Sequence, residues 1–64
     1  MSENLRKRIL GYLAENGWRS TSQVAKDLGV DRQKVKYHLT VLALDGKVER
    51  RKLSERVIVW RLKK

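Results

Sequence analysis

The chain has no cysteine among its 64 residues. Disulfides and thiolate metal sites are therefore excluded as supports for a small core, and a reducing compartment fits this composition. His38 is the one histidine. With neither a cysteine nor a second histidine beside it, a metal site or a nucleophile–histidine pair is not expected there. Apolar runs such as Val57–Trp60 are far too short to span a bilayer, and the polar start Met1–Arg8 is unlike a secretory segment. The expected location is the cytoplasm, or the nucleoid within it, with no membrane contact. Two tryptophans and two tyrosines are the only aromatic residues, few platforms for stacking unpaired bases, which disfavours a single-stranded RNA reader. Proline is absent, and no repeat, linker or low-complexity tract breaks the pattern. There is no phosphate-binding glycine loop, no nucleophile elbow and no carboxylate pair beside a histidine, so an enzyme is not expected, nor a cofactor. Sixty-four residues are read as one domain, 1–64, with no room for a small-molecule effector domain.

What the chain has in excess is positive charge, +9 at neutral pH. Its distribution is more informative than its size. Residues 1–31 carry a balance of +1, whereas residues 32–64 carry +8. A near-neutral scaffold half joined to a polyanion-binding half is the implied arrangement.

Apolar periodicity places the elements. Leu5, Ile9, Tyr12 and Leu13 form one helical stripe, with Ser2 or Asn4 as its cap and Gly17 at its end. Trp18 and Arg19 fit a very short extended segment. Ser20 with Gln23 reads as a capping box opening a helix from Thr21 to about Leu28, whose buried side is Val24, Ala25 and Leu28. Gly29 supplies the positive φ of a tight turn. Asp31 caps a third helix, Arg32 to about Leu44, with Val35, Leu39 and Leu42 facing inward and Asp45-Gly46 as its stop. Lys47–Leu53 and Val57–Leu62 have strand character, joined by Ser54-Glu55-Arg56. Ile58, Trp60 and Leu62 are expected to face the helices, and Trp18 to pack as well. The predicted fold class is α+β, mostly α: a winged helix-turn-helix, three helices with a small antiparallel sheet and wing.

Ala25, Gly29 and Val35 give this motif its close helix approach, its turn and the anchor of its second helix. Opposite the inward stripe, rotation by about 100° per residue places Gln33, Lys36, Tyr37 and Thr40, with Arg32 at the helix start. These side chains suit the major groove. Arg and Lys donate to guanine O6 and N7, Gln pairs with adenine, Thr meets a thymine methyl, and Tyr37 reaches a phosphate. The wing adds Arg50, Arg51, Lys52 and Arg56, placed to grip the flanking backbone or minor groove. Lys63 and Lys64 add diffuse phosphate contact. The expected function is a sequence-specific double-stranded DNA-binding transcriptional regulator. One alternative beside it is a winged-helix protein-interaction module, for which Val41 and Leu44 off the core stripe suggest an apolar patch or a homodimer seam.

The run Val24–Val30, then Val35-Lys-Tyr-His-Leu39, Leu42, Gly46, Val48 and Trp60-Arg-Leu62 resembles winged-helix transcription regulators along nearly the whole chain. His-Leu-x-Val-Leu-x-x-x-Gly at His38–Gly46 is similar to arsenic-type repressors. The Ile-Leu-x-x-Leu of the first helix and Lys36-Tyr37-x-Leu39 resemble the small Pap-type regulators of pilus phase variation. That likeness implies operon DNA as ligand and a larger regulatory protein as partner. The chain also resembles domains that bind Z-form nucleic acid, in Arg8-Ile-Leu, Leu13, Lys26-x-Leu-Gly29, Gly46-Lys47 and Trp60-Arg61-Leu62, and this likeness implies a Z-form nucleic-acid-binding domain as a second alternative. Those domains carry Asn and Tyr where this chain has Lys36 and Thr40, and a proline pair in a wing that here has none.

If about five of these cations neutralise phosphates, a plot of log binding constant against log salt falls with a slope of about −4 to −5. Fluorescence-anisotropy titrations at several salt concentrations measure it, and a slope near zero removes the electrostatic basis of the reading.

Overall fold

The computed structural model describes residues 2–63, with side chains from Asn4 onward. Elements follow in the order α1 (Ser2–Asn16), β1 (Arg19–Ser20), α2 (Thr21–Leu28), α3 (Arg32–Leu44), β2 (Val48–Lys52) and β3 (Ile58–Leu62). Three helices pack on one face of a three-stranded antiparallel sheet in the order β1-β3-β2. This is the expected winged helix-turn-helix, with β2, β3 and their connection as the wing.

Apolar spacing explains the packing. Ile9 and Leu13 from α1, Val24 and Ala25 from α2, and Val35, Leu39 and Leu42 from α3 meet Val48 and Trp60 of the sheet in one buried core. Ser20 Oγ accepts the Gln23 N–H at 3.1 Å and caps α2. The reciprocal half of the expected capping box does not form, because the Gln23 amide donates at 2.9 Å to Asp27 one turn ahead. That charge-assisted bond draws the Gln23 side chain forward along α2, so its Oε1 does not reach back to accept from the Ser20 N–H. At the other end of α2, Gly29 takes φ +66°, its N–H donates to the Lys26 carbonyl, and Val30 N–H donates to the Ala25 carbonyl at 3.0 Å. These two bonds make a Schellman closure, which a residue with a Cβ would enter only with strain. Asp31 caps α3 by accepting from Gln33 N–H at 3.0 Å and Lys34 N–H at 3.2 Å.

Several boundaries differ from expectation. The short strand includes Ser20, so one residue both ends β1 and caps α2. The wing strands are shorter and the loop between them is longer, spanning 53–57, closed where Leu53 N–H donates to the Val57 carbonyl at 2.9 Å. Asn4 lies inside α1 rather than at its cap, while the Ser2 side chain and Lys64 lie outside the described residues. Tyr12 is half-buried, and its hydroxyl donates to Asp27. That bond, then Gln23's, holds the Asp27 carboxyl below its ordinary range, while burial and the same bond raise the Tyr12 phenol.

Ile58, Trp60 and Leu62 face the helices as expected. Trp60 is 1% exposed, and its indole N–H donates to Thr21 Oγ1 at 2.8 Å, tying the central strand to the first turn of α2. Replacing Thr21 with Val leaves that buried donor unpaired, so a loss of about 1–3 kcal/mol is expected in urea unfolding. An unchanged midpoint would show that the bond adds nothing.

Candidate nucleic-acid interface

The exposed face of α3 carries Arg32, Gln33, Lys36, Tyr37 and Thr40, all open to solvent. With Asp31, they line a concavity of about 750 Å³ along the helix. Lys36 also borders two adjoining hollows. One, about 280 Å³, is enclosed by Thr21 and Ser22 from α2, Arg32 from α3, and Glu55, Arg56 and Ile58 from the wing. The other, about 440 Å³, joins Lys36 and Thr40 to Ala43, Leu44 and Arg50 over a floor of Ile58 and Trp60. The recognition helix and the wing therefore share one surface, with Lys36 at its centre.

Strand register decides which wing cations belong to it. Arg50 pairs with Trp60 and Lys52 with Ile58, so both lie on the helix-facing side of the sheet and project past the edge of the core. Arg56 reaches the same side from the loop. Arg51 does not join them. It pairs with Val59 on the outer face, where its guanidinium sits 5.0 Å from the centroid of the Trp18 ring. Arg61 stacks on the same ring at 4.8 Å, and its Nε–H donates to Glu49 at 2.6 Å. Sequence reading grouped Arg50, Arg51 and Lys52 as one basic run. Strict alternation along the strand was the available signal that Arg51 points away.

Several contributors were not among the expected site residues. Ser22 and Glu55 line the hollow beside Arg32 and Arg56, and Ile58 forms its floor. Nothing local in the sequence marks them, because they meet only when the wing folds back toward α2. Within α3, the Thr40 hydroxyl donates to the Lys36 carbonyl at 2.8 Å, which leaves its oxygen free to accept and its methyl outward. Tyr37 is 61% exposed and its ring meets the His38 imidazole edge to face at 5.2 Å.

The back of α3 is held by charge as well as by apolar packing. His38 is buried, and its Nδ1 accepts from Arg6 Nε–H at 3.2 Å, joining α3 to α1. Arg8 donates to the Leu28 carbonyl at 3.0 Å at the end of α2. Burial, then the neighbouring Arg6 and Lys34 charges, push the His38 pKa below its ordinary value. Among the described residues no group of three or more potential metal ligands forms a cluster. No helix there is long and apolar enough to cross a membrane.

The fold and this surface define a winged helix-turn-helix. A family model described as a helix-turn-helix domain matches residues 1–51, and the chain belongs to that family. Among solved structures it is similar to the Zalpha domain of Carassius auratus PKZ, crystallised with Z-DNA, at 27% identity and a TM-score of 0.87, covering 97% of each chain. It is similar to the Zalpha domain of Cyprinid Herpesvirus 3 ORF112, studied for its binding to Z-DNA, at 30% identity and a TM-score of 0.84, covering 98% of each. The zinc-responsive MarR-family member ZitR of Lactococcus lactis shares the fold at 23% identity and a TM-score of 0.81, covering 92% of this chain and 42% of ZitR. No curated protein sequence matches.

A neutral His38 is the form the native state favours, so the unfolded chain binds more protons in the window just below the ordinary histidine value of about 6.5. Stability is therefore fully present above that value and declines as pH falls toward the depressed native pKa. Urea midpoints measured from neutral to mildly acidic pH are expected to fall in the wild type and to flatten in His38→Gln. Parallel slopes in the two proteins would assign the dependence elsewhere.

Proposed function

We propose that this protein is a sequence-specific double-stranded DNA-binding regulator of transcription. Helix α3 lies in the major groove, and the helix-facing side of the wing holds the flanking backbone or minor groove. The observation that carries this reading is the continuity of one basic surface from Arg32, Gln33, Lys36, Tyr37 and Thr40 to Arg50 and Arg56, with Lys52 on the same sheet face by its pairing with Ile58. Gln33 and Lys36 stand where hydrogen-bonding side chains discriminate bases, while Arg50, Lys52 and Arg56 supply sequence-independent phosphate contact. Arg51 plays no part at this surface. The likeness to arsenic-type and Pap-type regulators supports a role at promoters, with a larger regulatory protein or a second copy of the chain as partner.

Binding of Z-form duplex is the second reading, favoured by the similarity over nearly full length to Zalpha domains solved with Z-DNA. Two residues weigh against it. Lys36 brings a flexible cation where those domains have an Asn, and Thr40 is too short to replace a Tyr ring beside the buried Trp60. The proline-free wing is a third departure. Lys36 and Thr40 favour the right-handed major groove because a long donor and a small methyl reach base edges there.

Two measurements separate the readings. Selection of bound duplexes from a random pool is expected to return a defined sequence. Gln33→Ala and Lys36→Ala relax that preference at about 1–3 kcal/mol per base contact, whereas Lys52→Ala and Arg56→Ala weaken all duplexes alike. Circular dichroism of an alternating CG duplex is expected to keep its right-handed spectrum on saturation. Inversion of that spectrum, with no sequence recovered beyond alternating CG, would replace the first reading by the second.

A further inference from the structure

The outer face of the sheet carries a second basic cluster that the proposed DNA surface does not use. Alternation along the strands puts Lys47, Glu49 and Arg51 on this face of β2 and its approach, and Val59, Arg61 and Lys63 on that of β3. The ladder continues past the strand ends, where Lys63 N–H donates to the Lys47 carbonyl at 3.0 Å and sets these two lysines side by side. Four cations thus stand against one carboxylate. Arg51, Arg61 and Lys63 line, with Trp18 and Glu49, a hollow of about 310 Å³ whose rim Arg50 also reaches from the sheet edge, and Lys47 stands outside it.

The face is ordered as well as charged. Trp18 is half-buried over it and Val59 is 9% exposed, although Val59 is on the side turned away from the helices. The Arg51 and Arg61 guanidiniums both lie against the Trp18 ring, at 5.0 and 4.8 Å. Stacking fixes the plane of a guanidinium while leaving its N–H edge free to donate. Among the described residues, no protein acceptor takes a hydrogen bond from the Arg51 guanidinium. Charge on an edge strand also deters aggregation, but that purpose requires neither a stacked tryptophan nor cations on the central strand β3.

We propose that this face is a second duplex-binding surface, so that one molecule holds two DNA segments on opposite sides of its wing. The proposal rests on the reading that the α3 surface holds the first duplex. A duplex presents about one negative charge per 1.7 Å of its axis, and neutralising those charges releases counterions without demanding a particular base sequence. A flat cluster of four cations on two adjacent strands suits that ligand, and the α3 surface already raises the local concentration of DNA. The two surfaces lie on opposite faces of one thin sheet. A duplex bound at α3 therefore leaves the outer face open.

The test is capture of a fluorescent duplex by protein already bound to a bead-immobilised duplex, with single-duplex affinity measured by anisotropy on the same preparations. Wild type is expected to capture the second duplex. Lys47→Glu combined with Arg51→Glu, two positions that the α3 surface does not use and that leave Arg61 on the Trp18 ring, is expected to reduce capture at least about tenfold while changing single-duplex affinity by less than about threefold. Glu49→Gln, which removes the one acid from the face, is expected to increase capture. Absence of capture by wild type that still binds one duplex overturns the inference alone, whereas absence of any duplex binding overturns the proposed function. Capture that survives the double charge reversal assigns bridging to self-association, and equal loss of single-duplex binding merges the two surfaces. Either result overturns the inference, as does retention by the outer face of polyglutamate in preference to a second duplex.

Discussion

The burial of Trp60 is the constraint on which the geometry of this protein depends. Its indole is inserted from the central strand between the helices and the sheet, and its N–H reaches Thr21 in the first turn of α2. The same residue pairs across the sheet with Arg19 of β1 and Arg50 of β2. One side chain therefore fixes the depth of the sheet, the position of the helix before the turn and the register of the wing. Because strand side chains alternate, that register sends Arg50 and Lys52 to the α3 side and Arg51 to the other. A slip of one residue would bury charge and expose the indole, so the apolar energy of the core also enforces the placement of the cations.

Charge is then organised around an almost neutral support. Helices α1 and α2 contribute one side of the core, and two arginines of α1 donate to internal acceptors: Arg6 to His38, Arg8 to the Leu28 carbonyl. The recognition helix is thus braced from behind by a neutral imidazole and from below by Val35, Leu39 and Leu42. Its front remains free of internal ion pairs among the described residues. A rigid helix loses little backbone conformational entropy when a ligand binds, which is the physical advantage of presenting exposed side chains on an element rather than on a loop.

Much of this was legible in the residue order. Helices α2 and α3 occupy the expected spans, because their caps at Ser20 and Asp31 and the stop at Gly29 act within a few residues of themselves. The inward stripe of α3 and the inward face of β3 followed from periods of 3.6 and 2. The departures have specific causes. Gln23 does not reach back to the Ser20 N–H because its amide N–H donates to the Asp27 carboxylate one turn ahead and draws the side chain that way. The wing strands stop one pair early because Val57 N–H donates to the Ser54 carbonyl rather than to Leu53, which leaves the Leu53–Val57 pair with a single ladder bond. Val59 is buried on the outer face because Trp18, whose partners were unknown from sequence, lies over that side with two guanidiniums.

The site divides in the same way. Arg32, Gln33, Lys36, Tyr37 and Thr40 could be grouped from sequence because a helix of known start has a known rotation. The wing cations could not be grouped so safely, since consecutive residues of a strand lie on opposite faces and only register and curvature show which face meets α3. Sequence by itself determined the elements, their caps, the core stripes and the concentration of charge after Arg32, all of which depend on interactions between near neighbours. Tertiary structure alone decided that Ser22, Glu55 and Ile58 join the α3 surface and that Arg51 leaves it for Trp18. Those outcomes depend on contacts between residues distant in the chain, and the burial of one indole selects them together.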